Sequence, residues 1–141
     1  MKQERAYKFR CYPTDEQKRL LARTFGCCRF VYNWGLRKKT DAYSNQQQRI
    51  SYTDLSLALT ELKKQEDTSW LSEVASVPLQ QALRHLDRAF INFFAGRAKY
   101  PAFKKKRQTQ AATYVGTAFK WDGKQVTLAK MEAPLALDIR H

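Results

Sequence analysis

Acidic residues are scarce in this 141-residue chain: 13 Asp and Glu stand against 26 Lys and Arg, a formal net charge of +13. That deficit asks for an anionic partner, and nucleic acid, an anionic membrane surface and an acidic protein are the three candidates. Cysteine is sparse and odd in number, with Cys11, Cys27 and Cys28 at no CxxC spacing. A disulfide framework and a zinc knuckle are both excluded by that pattern, and reduced, packed thiols are expected. The two histidines, His85 and His141, lie too far apart in sequence to suggest a metal site or triad, and His85 reads as a helix surface residue. No apolar run approaches the roughly 20 residues that span a bilayer, and the opening Met1-Lys2-Gln3-Glu4-Arg5 has no apolar core of a signal peptide. The expectation is a cytoplasmic protein with no membrane partner.

What is present is patterned. Tyr7 to Tyr12 alternates, with Tyr7, Phe9 and Cys11 on one face, as in a half-buried strand that ends at Pro13. Thr14 three residues before Gln17 forms a capping box, so a helix starts there. It carries Leu20, Leu21 and Phe25 inward and is predicted to break at Gly26. A second helix then repeats Cys27, Phe30, Val31 and Trp34 on one face, with Arg29, Tyr32 and Asn33 on the other. Ser44 to Gln48 reads as a loop. Ser51 with Asp54 caps a third helix striped by Leu55, Leu59 and Leu62.

Pro78 suits the first position of a fourth helix, whose stripe is Leu79, Leu83, Leu86, Phe90 and Phe93 and whose terminator is Gly96. Trp34, Trp70, Phe90, Phe93 and Phe94 lie in apolar patterns and are expected in the core. A basic segment follows, with Arg97, Lys99, Lys104, Lys105, Lys106 and Arg107 around Tyr100-Pro101-Ala102-Phe103. Asp122-Gly123 between Tyr114–Trp121 and Lys124–Leu128 signals a tight hairpin, and Leu135 to Arg140 alternates again. One strand, then helices, then strands gives an α+β fold in which a helical bundle interrupts a β unit.

Several strings carry a family resemblance. Tyr7-Lys8-Phe9-Arg10-Cys11-Tyr12-Pro13-Thr14, Cys28-Arg29-Phe30-Val31-Tyr32-Asn33-Trp34, Thr68-Ser69-Trp70-Leu71 with Leu79-Gln80-Gln81-Ala82-Leu83, and Tyr100-Pro101-Ala102-Phe103-Lys104-Lys105-Lys106-Arg107 occur in the order seen in TnpB proteins. These are transposon-encoded, RNA-guided endonucleases, also described as OrfB-type transposases with a helix-turn-helix. The chain resembles their amino-terminal part. The resemblance implies a wedge domain, a small OB-like β unit with its first strand in residues 1–13. A helical recognition bundle would fill 14–103, and a basic linker with the remaining, incomplete wedge strands 104–141. It also implies that the RNase H-like domain and zinc ribbon, with their Mg²⁺ and Zn²⁺, lie downstream, so no cofactor and no cleavage centre is expected within these residues.

The implied partners are the guide RNA from the transposon end and double-stranded DNA flanking the target, with base pairing to the guide supplying most of the specificity. A separately encoded nuclease domain is a further possible partner. Tyr52 and Gln80 align with family positions that contact the target-adjacent motif, and Gln pairs well with adenine N6 and N7. Ser76 stands where some relatives have lysine. On the residues alone, Gln80 is equally an exposed first-turn residue and Tyr52 a ring packed on the bundle. Lys104, Lys105, Lys106 and Arg107 are either a solvated linker or a phosphate-binding run beside the stacking surfaces of Tyr100 and Phe103. Arg29, Tyr32 and Asn33 either touch RNA or form a polar network at the helix junction, and Thr117 joins the candidates from the wedge strands. Competing readings are a free-standing helix-turn-helix DNA binder over Thr14 to Tyr43, a subunit of a split nuclease, and a purely structural basic protein.

Overall fold

A computed structural model describes residues 10–106, 108, 110–123 and 125–138, with backbone alone at Arg10 and Asp138. Tyr7, Lys8, Phe9, Arg107, Lys124 and the end of the last alternating segment lie outside the described residues.

The helix that opens at the Thr14–Gln17 capping box does not break at Gly26. Helix α1 runs unbroken over Asp15–Gln46. A glycine inside a helix costs only about 1 kcal/mol relative to alanine. On either side of Gly26, Thr24, Cys27, Cys28 and Val31 are all buried, so packing along the helix outweighs that local penalty. The expected loop at Ser44 to Gln48 shrinks accordingly, because α1 ends only at Gln47, in the left-handed conformation (φ 51°) with the Gln48 N–H bonded to the Ala42 carbonyl.

Helix α2 covers Tyr52–Lys64 behind the expected Ser51–Asp54 capping box, and Leu55, Leu59 and Leu62 are its buried stripe. A 3-10 segment, Glu66–Glu73, leads to α3, Ser76–Phe94. Pro78 is thus the third helical residue rather than the first, a position whose N–H would still lack an intrahelical partner. Leu79, Leu83, Leu86 and Phe90 are buried as the spacing predicts, and Gly96 (φ 75°) closes the helix with Gly96 N–H to Phe93 O and Arg97 N–H to Asn92 O, a Schellman cap. The bundle therefore has three α-helices, where four were expected.

The core joins α1 (Val31, Leu36), α2 (Leu55, Leu59), Leu71 and α3 (Leu79, Leu83, Leu86), all at most 2% exposed. Full burial of each such leucine is worth about 1.5–3 kcal/mol. Gly35 lets α1 approach α3: a Cβ there would stand 2.9 Å from Leu86 Cδ2 and 3.1 Å from Leu83 Cδ2. Trp70 (39% exposed) and Phe94 (56% exposed) are not core, contrary to the apolar pattern, while Trp34 packs at the core's edge. Trp70 instead meets Phe30 edge-on at 5.0 Å and donates its indole N–H to the Asp67 carbonyl.

The β unit consists of short strands. β1 (Arg10–Tyr12) pairs antiparallel with β4 (Ala136–Asp138), so the first and last described strands meet, and β2 (Phe119–Trp121) pairs with β3 (Val126–Leu128). A bridge from Val126 to Leu135 links the pairs. The hairpin is present, but Trp121 pairs with Val126, so the loop has four residues rather than the two of an Asp-Gly turn. Asp122 explains the wider loop, since its Oδ1 accepts the Gln125 N–H at 2.7 Å. Tyr114 to Val115 precedes a short 3-10 turn, Gly116–Ala118, and is not part of the strand. Helix and strands combine into the α+β class that the pattern predicts.

Gln17 fastens the two parts together. Its Oε1 accepts the Thr14 N–H at 2.8 Å, while its Nε2 donates to the carbonyls of Ala133 (3.0 Å) and Pro134 (3.1 Å). It is buried, and every polar atom of its amide is engaged in a cap or in the junction.

Candidate nucleic-acid interface

At Lys104 the basic segment is fastened to α1 by the side chain of Asn33. Asn33 Oδ1 accepts the Lys104 N–H at 2.7 Å and Asn33 Nδ2 donates to the Lys104 carbonyl at 3.0 Å. A side-chain amide carries a donor and an acceptor side by side, so it can meet the N–H and the carbonyl of one residue at once. Lys104 Nζ then lies 4.6 Å from the centre of the Tyr32 ring. Tyr32 itself is buried, and burial pushes its phenol above the ordinary range. It therefore serves as a platform beneath the lysine, one residue before the clamp.

Between α1, the first half of α3 and residues 104, 105, 108 and 110–113 lies a groove. Arg29, Lys104, Lys105, His85, Gln108 and Gln110 supply its polar lining, and no carboxylate lines it among the described residues. Neither described ion pair, Arg23–Glu73 at 3.8 Å or Glu61–Lys64 at 3.4 Å, involves a groove cation. The walls are fixed: Lys105 N–H donates to Gln108 Oε1 at 3.0 Å, Gln110 Nε2 to the Lys106 carbonyl at 3.0 Å, and Cys28 Sγ to the Pro78 carbonyl at 3.6 Å. Burial drives the Cys28 thiol up to about 12, so it stays a protonated, packed thiol as expected. The imidazole of His85 is lowered from its ordinary value by partial burial and then by the charges of Lys104 and Arg88. A positive field of this kind suits polyanion binding.

The other candidates are placed elsewhere. Ser76 and Gln80 are exposed on α3, four residues apart, with Arg84 four further on the same face. The Arg84 guanidinium stacks 4.3 Å from the ring centre of Tyr52, the first residue of α2. Ser76, Gln80 and Arg84 thus form an exposed row distinct from the groove, flanked by Tyr52, which is half-buried against the core. Lys106 is exposed beyond the groove lining, Arg107 lies outside the described residues, and Thr117 is exposed in the turn before β2 without lining the groove. Sequence reasoning passed over three of these residues. His85, Gln108 and Arg84 have no motif; the signal for Arg84 was its spacing from Gln80, and the other two join the groove through tertiary approach.

Residues 1–48 match the OrfB-type helix-turn-helix domain. A Streptomyces pristinaespiralis protein named "Putative RNA-guided DNA endonuclease" is 56% identical over 138 residues, 97% of this chain and 34% of that protein. InsQ of Escherichia coli K12, with the same name, is 36% identical over 132 residues, 93% of this chain and 33% of its own length. The chain belongs to the TnpB family. It spans about a third of the length of these two TnpB-type relatives. It also matches "Virulence protein VsdF" of Salmonella dublin, 40% identical over 113 residues, 72% of this chain and 93% of that protein. Within the region that matches the helix-turn-helix domain, residues 15–46 of this TnpB-family chain form one continuous helix. No helix among the described residues is long and apolar enough to cross a membrane, and no three His, Cys, Asp or Glu side chains among them gather at metal-ligating distance.

Proposed function

We propose that this chain is the nucleic-acid-gripping amino-terminal part of a TnpB-type RNA-guided endonuclease, and that cleavage belongs to other parts of such a protein. The observation that carries the reading is the Asn33 clamp on Lys104, which holds a cationic run against a groove without carboxylates. Side chains that merely kept the protein soluble would need no such fastening. In this reading Arg29, Lys104, Lys105 and Lys106 neutralise phosphates of a folded guide RNA, since phosphate contacts tolerate loose spacing. Tyr52, Ser76, Gln80 and Arg84 face the duplex that flanks the target. A short exposed Gln and an Arg four residues apart on one helix face are suited to adjacent base edges in a major groove. Thr117 is a further contact from the wedge side, and Arg107 belongs in sequence to the run begun by Lys104.

The test is a competition between structured RNA from a transposon end and duplex DNA of random sequence, read by gel shift at several salt concentrations. Preference for the RNA is expected. Neutralisation of about five phosphates gives a slope of log K on log salt near −4.5 for duplex, and a shallower one for single strands. A flat salt response removes nucleic-acid binding altogether. The match to a helix-turn-helix domain favours a second reading, a duplex DNA binder working as a dimer on paired half-sites. It predicts the opposite preference, although the unbroken α1 leaves no turn at Gly26 to set a recognition helix.

A further inference from the structure

At the opposite end of α1 from the β unit the bundle opens into a second cavity, of about 290 Å³. Tyr43 of α1, Phe90, Phe93 and Phe94 of α3, and Tyr100 beyond the Schellman cap form its walls. Three of these rings are exposed: Tyr43 at 55%, Phe94 at 56% and Tyr100 at 45%. A bundle has no structural need for exposed rings around a hollow, and the rings are ordered against one another. Tyr100 meets Phe90 edge-on at 5.4 Å and Phe93 at 5.2 Å, and its hydroxyl lies 2.7 Å from Thr40 Oγ1. That surface contact on α1 and the two ring contacts hold the Tyr100 ring in place before any ligand arrives.

Two cations stand at this cavity. Lys39 is committed to the fold, donating to the Ile50 carbonyl at 2.6 Å and lying 5.0 Å from the Phe90 ring centre. Arg49 is free of such a duty; its guanidinium rests 4.7 Å from the ring centre of the exposed Phe94. No carboxylate lines the cavity among the described residues. Aromatic walls beside an unengaged guanidinium suit an occupant that is flat, aromatic and attached to negative charge. Its size is also limited, because small-molecule pockets begin at about 300 Å³.

We infer that this cavity receives a single unpaired base of a bound polynucleotide, with Phe94 and Tyr43 as stacking surfaces and Arg49 meeting the adjoining phosphate. The inference rests on the nucleic-acid reading above. Continuity with the groove supports it: Tyr100 and Lys104 belong to one short segment, so the stretch that walls the cavity also supplies the phosphate-binding run. Asn33 and Tyr43 are ten residues apart on α1, about 15 Å at 1.5 Å per residue, so one ligand can reach both. Stacking of this kind does not discriminate strongly among bases, because every base has a π face.

The experiment uses the full chain and two RNA hairpins, identical except that one carries a single bulged 2-aminopurine and the other is fully paired. The bulged hairpin is expected to bind about tenfold more tightly, with its fluorescence quenched on binding. Phe94→Ala and Arg49→Gln, both at the surface, should bring the two affinities within about twofold of each other, Phe94→Ala by weakening the bulged hairpin more than the paired one. Equal binding of both hairpins by the unaltered chain overturns this inference alone. Discrimination that survives Phe94→Ala also overturns it, as does a Phe94→Ala variant that alters self-association but not discrimination, which would give the cavity to a second copy of the chain. Failure to bind either hairpin overturns the nucleic-acid reading and this inference with it.

Discussion

Asn33 and Lys104, 71 residues apart in sequence, are joined by two hydrogen bonds between one side-chain amide and one residue's backbone N–H and carbonyl. Through that pair a basic segment acquires a fixed position on α1, and Lys104 is set over Tyr32. Asn33→Ala should release the segment. The expected stability loss is about 1–2 kcal/mol, as for two partly exposed hydrogen bonds, measured by urea denaturation. Affinity for structured RNA should fall on the order of fivefold, about 1 kcal/mol, because the cations lose their common placement. Unchanged affinity in Asn33→Ala would detach the clamp from function.

Gly26 and Gly35 should respond oppositely to alanine. Nothing lies within 4 Å of a Cβ at Gly26, so Gly26→Ala should gain about 0.5–1 kcal/mol from helix propensity alone. A Cβ at Gly35 would press on Leu86 and Leu83, both fully buried. Overpacking of roughly 1–3 kcal/mol exceeds the propensity gain of about 1 kcal/mol, for a net loss of about 1 kcal/mol. Urea midpoints moving in opposite directions are the check.

Gln17→Ala should loosen the β unit from the bundle. The variant loses the contacts to Ala133 and Pro134 and the reciprocal half of the capping box, at a cost of about 2–3 kcal/mol. Hydrogen exchange should show the gain in opening concentrated in residues 130–138 rather than in α2 or α3. Gln17→Glu keeps the cap but turns a carboxylate toward two carbonyl oxygens, so its deficit should grow as pH rises through the carboxylate range.

His85 gives a pH dependence whose sign follows from its surroundings. Its pKa in the folded chain lies below the ordinary 6.5, so the unfolded chain takes up the proton first as pH falls. The stability it contributes is complete above that ordinary value and is lost as pH falls toward and through the folded one. A polyanion in the groove would counter the charges of Lys104 and Arg88 and raise the imidazole again, so binding should take up a proton. Affinity should therefore strengthen between pH 7.5 and pH 5.5 more steeply for the unaltered chain than for His85→Gln, compared by titration at constant ionic strength.

Local chemistry was open to reading from the residues themselves. Both capping boxes, the buried leucine stripes of α2 and α3, and the left-handed terminator at Gly96 were legible because each depends on neighbours within one or two helical turns. The cationic excess and the family strings were legible too, since both are properties of the chain's order alone. The continuity of α1 was not, because the penalty at Gly26 is local while the burial that outweighs it comes from α3 and the residues beyond. Nor was the exposure of Trp70 and Phe94, because their apolar spacing does not reveal that neighbouring elements cover these rings only in part. The Asn33 clamp, the groove that gathers His85 and Gln108, and the arrival of Tyr52 beside Arg84 were settled by tertiary approach. Such contacts join residues dozens of positions apart, and a periodicity read along one segment carries no information about which other segment will arrive to meet it.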